Sequence, residues 1–245
     1  MQTLQVHFLP RLTDAEQLAG GAVAVIDVLR ASTTICHALA AGALGVIPCL
    51  EVDEAHRLAA TYPAGEAVLG GERQGMKISG FDLGNSPAEY TPQSVGGRTV
   101  IFTTTNGTQA MRLCRASARV MIGAFVNATA VLRSIEAEKD VHLLCAGTRG
   151  AITREDVLLA GLLVHELMTG ASVPPDINDE ARLARDAWRQ CVDGGRPLAE
   201  ELRATQGGRN LAALGLDRDL EPAAWRDRFD FVPTLDVATW SIRLP

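Results

Sequence analysis

The chain has 245 residues, 47% of them hydrophobic, 21% charged and 4% aromatic, a composition that builds a globular core without disulfides or a structural metal. With 23 basic against 29 acidic residues the formal charge is -6, and no basic run could neutralise a polyphosphate backbone, which excludes nucleic acid as a partner. The most apolar windows, Ala22 to Val28 and Val157 to Val164, fall well short of the roughly 20 residues that a membrane-spanning helix needs.

Residues 1–10 have neither the basic start nor the apolar middle of a secretory signal. Short apolar runs then recur as strand candidates: Leu4 to Phe8, Ala22 to Val28, Leu44 to Leu50, Thr99 to Thr103, Val120 to Ile122 and Val141 to Cys145. Between them lie helix candidates, Ser32 to Ala41, Asp53 to Thr61, Thr108 to Ala116, Ala128 to Lys139 and Arg154 to Met168, several opening on a capping residue. Near-continuous apolar strands alternating with helices predict an α/β fold, a layered and mostly parallel sheet flanked by helices. Residues 1–245 read as one unit. A subdivision near 120–140 into two similar, intimate subdomains stays open, because Asp27 to Ala43 and Arg154 to Gly161 share a faint acid-then-helix pattern.

Gly70 to Gly97 holds seven glycines and no sustained apolar period, and it reads as a long ordered loop. Pro174-Pro175 breaks the chain before a helical stretch from Asn178 to Val192 and shorter pieces to about Leu214, and Leu235 to Leu244 reads as a closing strand. The five cysteines are odd in number, widely spaced and set among apolar residues, as buried thiols in a reducing cytoplasm would be. A cytoplasmic location is therefore expected, and a homo-oligomer is left open.

Four segments carry chemistry. In the first, Asp27, Arg30, Ser32, Thr33 and Thr34 stand where an apolar run passes into a helix, so backbone amides and a guanidinium could hold an anion; a capped helix start with Asp27 paired to Arg30 is the plainer alternative. Leu29 stands where a phosphoaspartate enzyme would need its second Asp, so no such route is expected. The second segment, from Gly70 through Glu72 and Arg73 to Tyr90, packs charges of both signs between glycines, and its carboxylates suit magnesium. The third, Thr103 to Thr108, follows a strand and offers hydroxyls with Asn106 and Gly107 as a phosphate nest, without the Lys of a nucleotide loop. In the fourth, Arg149 follows the glycine turn after Cys145, and Glu155 and Asp156 open the next helix as ordinary first-turn acids would. Three of the four sit at the carboxyl end of a predicted strand, where open α/β sheets bind ligands. Several acids, several arginines and hydroxyl-rich helix starts together suit a small, strongly anionic substrate with magnesium.

Ile26 to Thr34, Gly71-Glu72-Arg73, Gly80 to Tyr90, Thr103 to Thr108, Ala146-Gly147 and Glu155-Asp156, followed by Gly208 to Leu211 and Phe231 to Pro233, together resemble the 2-phosphosulfolactate phosphatases of coenzyme M biosynthesis. The resemblance implies an α/β fold and magnesium-dependent hydrolysis of (2R)-2-phospho-3-sulfolactate to 3-sulfolactate and phosphate. It makes Asp27, Glu72 and Asp156 the leading magnesium ligands or water activators, with Asp82 and Glu89 in reserve. Arg30, Arg73 and Arg149 would clamp the anionic groups, and Ser32, Thr33, Thr104, Thr105, Asn106, Gly107 and Thr108 would complete the substrate site. Direct attack by water is expected rather than a covalent intermediate. The alternatives are a phosphatase of another small acidic phosphoester or a non-catalytic anion-binding protein.

Overall fold

The computed structural model describes residues 1–170 and 173–245. Its strands are β1 (Thr3–His7), β2 (Ala22–Ile26), β3 (Gly45–Pro48), β4 (Ala67–Arg73), β5 (Met76–Lys77), β6 (Thr99–Thr103), β7 (Arg119–Gly123), β8 (Asp140–Cys145), β9 (Asp176–Ile177), β10 (Thr234–Asp236) and β11 (Ser241–Arg243). They form one mixed sheet in the order β5-β4-β6-β3-β11-β10-β7-β2-β8-β1-β9. The helices that cover it and wall the site are α1 (Ala31–Ala40), α2 (Val52–Ala59), α3 (Pro92–Val95), α4 (Gly107–Leu113), α5 (Ala128–Glu136), α6 (Arg154–Gly170), α7 (Asp179–Asp193), α8 (Leu198–Ala204), α9 (Gln206–Ala213) and α10 (Leu220–Ala224). No helix among the described residues is long and apolar enough to cross a membrane.

β2 shows why the sheet is covered on both sides. All five of its residues are buried, and they alternate between two cores. Ala22, Ala24 and Ile26 pack with α5, α6 and α7, whereas Val23 and Val25 pack with α1 and α4. Side chains that alternate across a strand, all of them apolar, require a layer of helices on each face.

Two parallel blocks make up the sheet, β4-β6-β3 and β7-β2-β8-β1. Between them lies the hairpin β10–β11, antiparallel to β7 on one side and to β3 on the other, so the blocks run in opposite senses. A flat sheet would then put their carboxyl ends on opposite edges. Five strand steps separate β6 from β2, and at roughly 20–25° of twist per step the sheet turns through about 100–125°. That rotation swings the carboxyl ends of the two blocks toward each other and sets up one shared site. A cut between β7 and β8, within 124–139, would part β2 from its neighbour β8.

Two expectations change, and one short strand is added. The stretch Gly70 to Gly97 is not wholly loop: Gly70 to Arg73 complete β4, which turns back into β5. Its apolar period is missing because the backbone is approached too closely for side chains. A Cβ at Gly70 would lie 2.3 Å from the Tyr90 hydroxyl oxygen, and one at Gly71 would lie 2.0 Å from the Thr103 carbonyl oxygen. The closing strand Leu235 to Leu244 is instead the hairpin β10–β11, because Asp236 Oδ1 accepts the amides of Ala238 and Thr239 and turns the chain through β-prone residues. The two-residue β9 adds to the edge beside β1 and was too short for any pattern.

Candidate active site

At the meeting of the two blocks lies a cavity of about 220 Å³. Its walls come from the carboxyl ends of β2 (Asp27, Arg30), β4 (Glu72), β6 (Thr104, Thr105, Asn106) and β8 (Thr148, Arg149), and from α9 (Gly207, Asn210). Four strands and a late helix thus build one site from positions as far apart as 27 and 210.

Asp27 directly follows β2, and its Oδ1 accepts the Ala31 amide at 3.2 Å. Its Oδ2 lies toward Gly107, where a Cβ would come within 2.9 Å of it. Burial pushes its carboxyl up to about 7; the Ala31 amide opposes this, while Glu72 and Glu155 raise it further and Arg30 lowers it. The hydroxyls that open α1 turn to backbone rather than to the cavity. Ser32 Oγ accepts the Asp27 amide at 3.0 Å and donates to the Val25 carbonyl at 3.3 Å, Thr33 donates to the Val28 carbonyl at 2.8 Å, and Thr34 donates to that of Asn85 at 2.9 Å. Ser32 and Thr33 hold the loop that presents Asp27, and neither lines the cavity.

Glu72 joins two loops: Oε2 accepts the Gly75 amide at 2.6 Å and Oε1 the Thr105 amide at 2.7 Å. Arg73, the next residue on β4, points to the other side and donates to Leu50 and Glu72 carbonyls and to Thr103 Oγ1. Thr108 supports the Thr104 amide at 3.3 Å. Thr104 Oγ1 and Thr105 Oγ1, by contrast, are buried without a hydrogen-bond partner among the described residues, as is Asn85 Oδ1, and all three residues line the cavity. Unpaired buried polar atoms cost free energy unless a ligand or water meets them. Arg149 donates its amide to Asn106 Oδ1 at 3.0 Å and its side chain is exposed. It takes up left-handed backbone (φ 52°), as does Gln74 across the cavity (φ 56°).

The two acids at the start of α6 are placed differently. Asp156 commits both oxygens, Oδ1 to the Val28 amide at 2.8 Å and Oδ2 to the Gly147 amide at 2.9 Å, and burial raises its pKa well above the ordinary range. Glu155, also in the first turn, is 1% exposed, and its Oε2 has no hydrogen-bond partner among the described residues. Its Oε1 lies against Gly207 of the cavity wall, where a Cβ would meet it at 2.0 Å. Burial raises the Glu155 pKa too.

Asp27, Glu72, Glu155 and Asp156 are thus buried together, and Arg30, the one buried guanidinium among the described residues, is already paired with Asp219 at 2.7 Å. No three His, Cys, Asp or Glu side chains among the described residues are placed to hold a metal as a cage, so Asp27, Glu72 and Asp156 do not form one. Magnesium takes one or two carboxylates and completes its shell with water and substrate phosphate. Asp27 lines the cavity, and the unpartnered Glu155 Oε2 stands close enough to act on its charge, so carboxylate oxygen of the kind that requirement asks for is present. Sequence reasoning passed over Asn85, Thr148, Asn210, Asp219 and Ser86 as site residues. The only signal for them was that Asn85, Ser86 and Asn210 fall within the stretches that carry the family resemblance.

A family model described as 2-phosphosulpholactate phosphatase matches residues 7–237. The chain is 45% identical over 207 residues to the probable 2-phosphosulfolactate phosphatase of Symbiobacterium thermophilum, covering 84% of this chain and 87% of the relative. Its identity to the protein of the same name from Thermotoga petrophila is 40%, over 86% and 87% of the two chains.

Proposed function

The chain belongs to the 2-phosphosulfolactate phosphatase family, and on that footing we propose that it hydrolyses (2R)-2-phospho-3-sulfolactate to 3-sulfolactate and phosphate with magnesium. The observation that carries this reading is the cavity itself, where Asp27 and Arg30 face the unpartnered hydroxyls of Thr104 and Thr105. The phosphoryl group is received by Arg30 and the two threonines, as donors preorganised around developing charge. Arg149 and Asn210, at the outer wall, take the sulfonate and carboxylate. A carboxyl brought near 7 by burial is matched to proton transfer at neutral pH, so Asp27 accepts a proton from the attacking water. As the water oxygen bonds to phosphorus, the bond from phosphorus to the C2 oxygen breaks, and that oxygen leaves as the hydroxyl of sulfolactate on taking up the proton that Asp27 received, which returns Asp27 to its carboxylate. Magnesium held by Glu155 beside Asp27, its shell completed by water and substrate phosphate, would neutralise phosphoryl oxygens and lower the pKa of a bound water. A place in coenzyme M formation goes with this reading, and so does a cytoplasmic setting, which five buried and unbridged cysteines support.

The test is phosphate release by purified protein from 2-phospho-3-sulfolactate, phospholactate and other small phosphoesters, with and without magnesium. Preferential release from the sulfonate in magnesium is the expected result. Release from the others alone would reject the substrate, and release from none under any condition would leave an anion-binding protein.

A further inference from the structure

Arg30 and Asp219 lie 189 residues apart and form a buried ion pair, Nη1 to Oδ2 at 2.7 Å, with side chains 4% and 1% exposed. Asp219 stands just before α10 and beyond the cavity wall made by α9, and it lines no part of the cavity. Its other oxygen accepts the hydroxyl of Ser86 at 2.5 Å. Arg30 in turn donates from Nη2 to the Gly75 carbonyl at 2.7 Å. One guanidinium therefore ties together the loop after β2, the turn between β4 and β5, the loop holding Ser86 and the segment before α10. We propose that Asp219 is a positioning residue that aims Arg30 at the substrate anion.

The chemistry follows from what Arg30 would otherwise do. A guanidinium has five N–H donors in a rigid fork, of which the structure commits one to Asp219 and one to Gly75, leaving the remainder for an anion. The other carboxylates in the same cavity are Asp27 and Glu72. Without the charge of Asp219, Arg30 turns to them, which closes the anion position and masks Asp27 at once. Asp219 thus acts through Arg30, and Ser86 fixes Asp219. The inference rests on the reading of this cavity as the phosphate site.

Binding of inorganic phosphate to the full-length protein, followed by calorimetry, tests the idea without relying on turnover. Asp219→Asn is expected to weaken phosphate binding by about tenfold or more. In an Arg30→Lys background the same change should cost less than about twofold, because the group through which it acts is already altered. A purely structural role would instead give the same loss in both backgrounds, with a fall in Tm to match, and would overturn the proposal. Ser86→Ala, which removes one hydrogen bond and no charge, should weaken phosphate binding about two- to fivefold, and it carries the test if Asp219→Asn does not fold. Should Asp219→Asn and Ser86→Ala bind phosphate as the unaltered protein does, the positioning role falls while the phosphate site stands. If the unaltered protein binds no phosphate, both the site and the role fall.

Discussion

Asp156 on α6 accepts the amide of Val28 at 2.8 Å across 128 residues of chain, and this bond fixes the loop that carries Asp27. Since its second oxygen holds the Gly147 amide, Asp156→Ala would strand two buried donors. At about 1–3 kcal/mol for each unsatisfied group, the expected loss of stability is about 2–6 kcal/mol. Denaturant unfolding of the variant measures it. A variant as stable as the parent that nonetheless fails to bind magnesium would return Asp156 to the role of ligand.

Asp27→Asn keeps an oxygen for the Ala31 amide and removes the proton acceptor, so the fold should survive while turnover falls roughly 10²- to 10⁴-fold. Near-normal phosphate release would remove Asp27 from the chemistry. Stability supplies a second readout in chelator. The folded pKa of Asp27, about 7, lies above its ordinary 3.8, so its contribution is present below 3.8 and is lost as pH rises through 7. At pH 8 without divalent cation the Asn variant should therefore be the more stable, by about 4 kcal/mol at most.

How much of this site the sequence discloses depends on the distance over which each residue acts. Asp27 and Thr104 to Asn106 each stand at the end of an apolar run and Glu72 stands among glycines and charges, and a local pattern finds them. Asp219 and Ser86 act across 189 and 133 positions, on Arg30 and on each other, and no local pattern encodes that. Neighbouring acids pose another limit. Glu155 and Asp156 differ by about 100° around α6, and only the packed structure shows that one clamps backbone amides while the other keeps a free oxygen. β4 was hidden for a third reason, since Gly70 and Gly71 gave up their side chains to Tyr90 and to the backbone of β6.

Gly107 is the point at which α4 presses on the loop that carries Asp27. A Cβ there would lie 2.9 Å from both Asp27 Oδ2 and the Cβ of Ala31, closer than real contacts allow. Gly107→Ala should therefore displace Asp27 and lower kcat by about 10²-fold, since a misplacement of about 1 Å costs that much. A shift in Tm of more than a few degrees would accompany a wider disturbance, so kcat and Tm are to be measured on the same preparation. Unchanged kcat would show that the loop yields without moving the carboxylate.

Away from the cavity, His7 Nε2 and His142 Nδ1 sit 3.0 Å apart on adjacent strands, both rings about 7% exposed or less. Burial, with His142 beside it, brings the His7 pKa down from 6.5 to about 4, and burial lowers that of His142 as well. The sign is that of a base kept neutral by folding. Above pH 6.5 both states are neutral and the full stability is present; as pH falls from 6.5 toward 4 the unfolded chain takes up a proton that the folded chain refuses, and stability is lost. The shift of His7 alone is worth about 3 kcal/mol at most. Urea unfolding at pH 7.5, 6 and 5 on the parent and on His7→Asn isolates the effect from that of Asp27, which runs the opposite way over part of this range. The difference between the two proteins should shift by about 1–3 kcal/mol in favour of the variant on going from pH 7.5 to 5. A difference that stays constant with pH would mean that the pair holds its proton when folded, with the imidazolium stabilised by a neighbour, and that burial does not govern it.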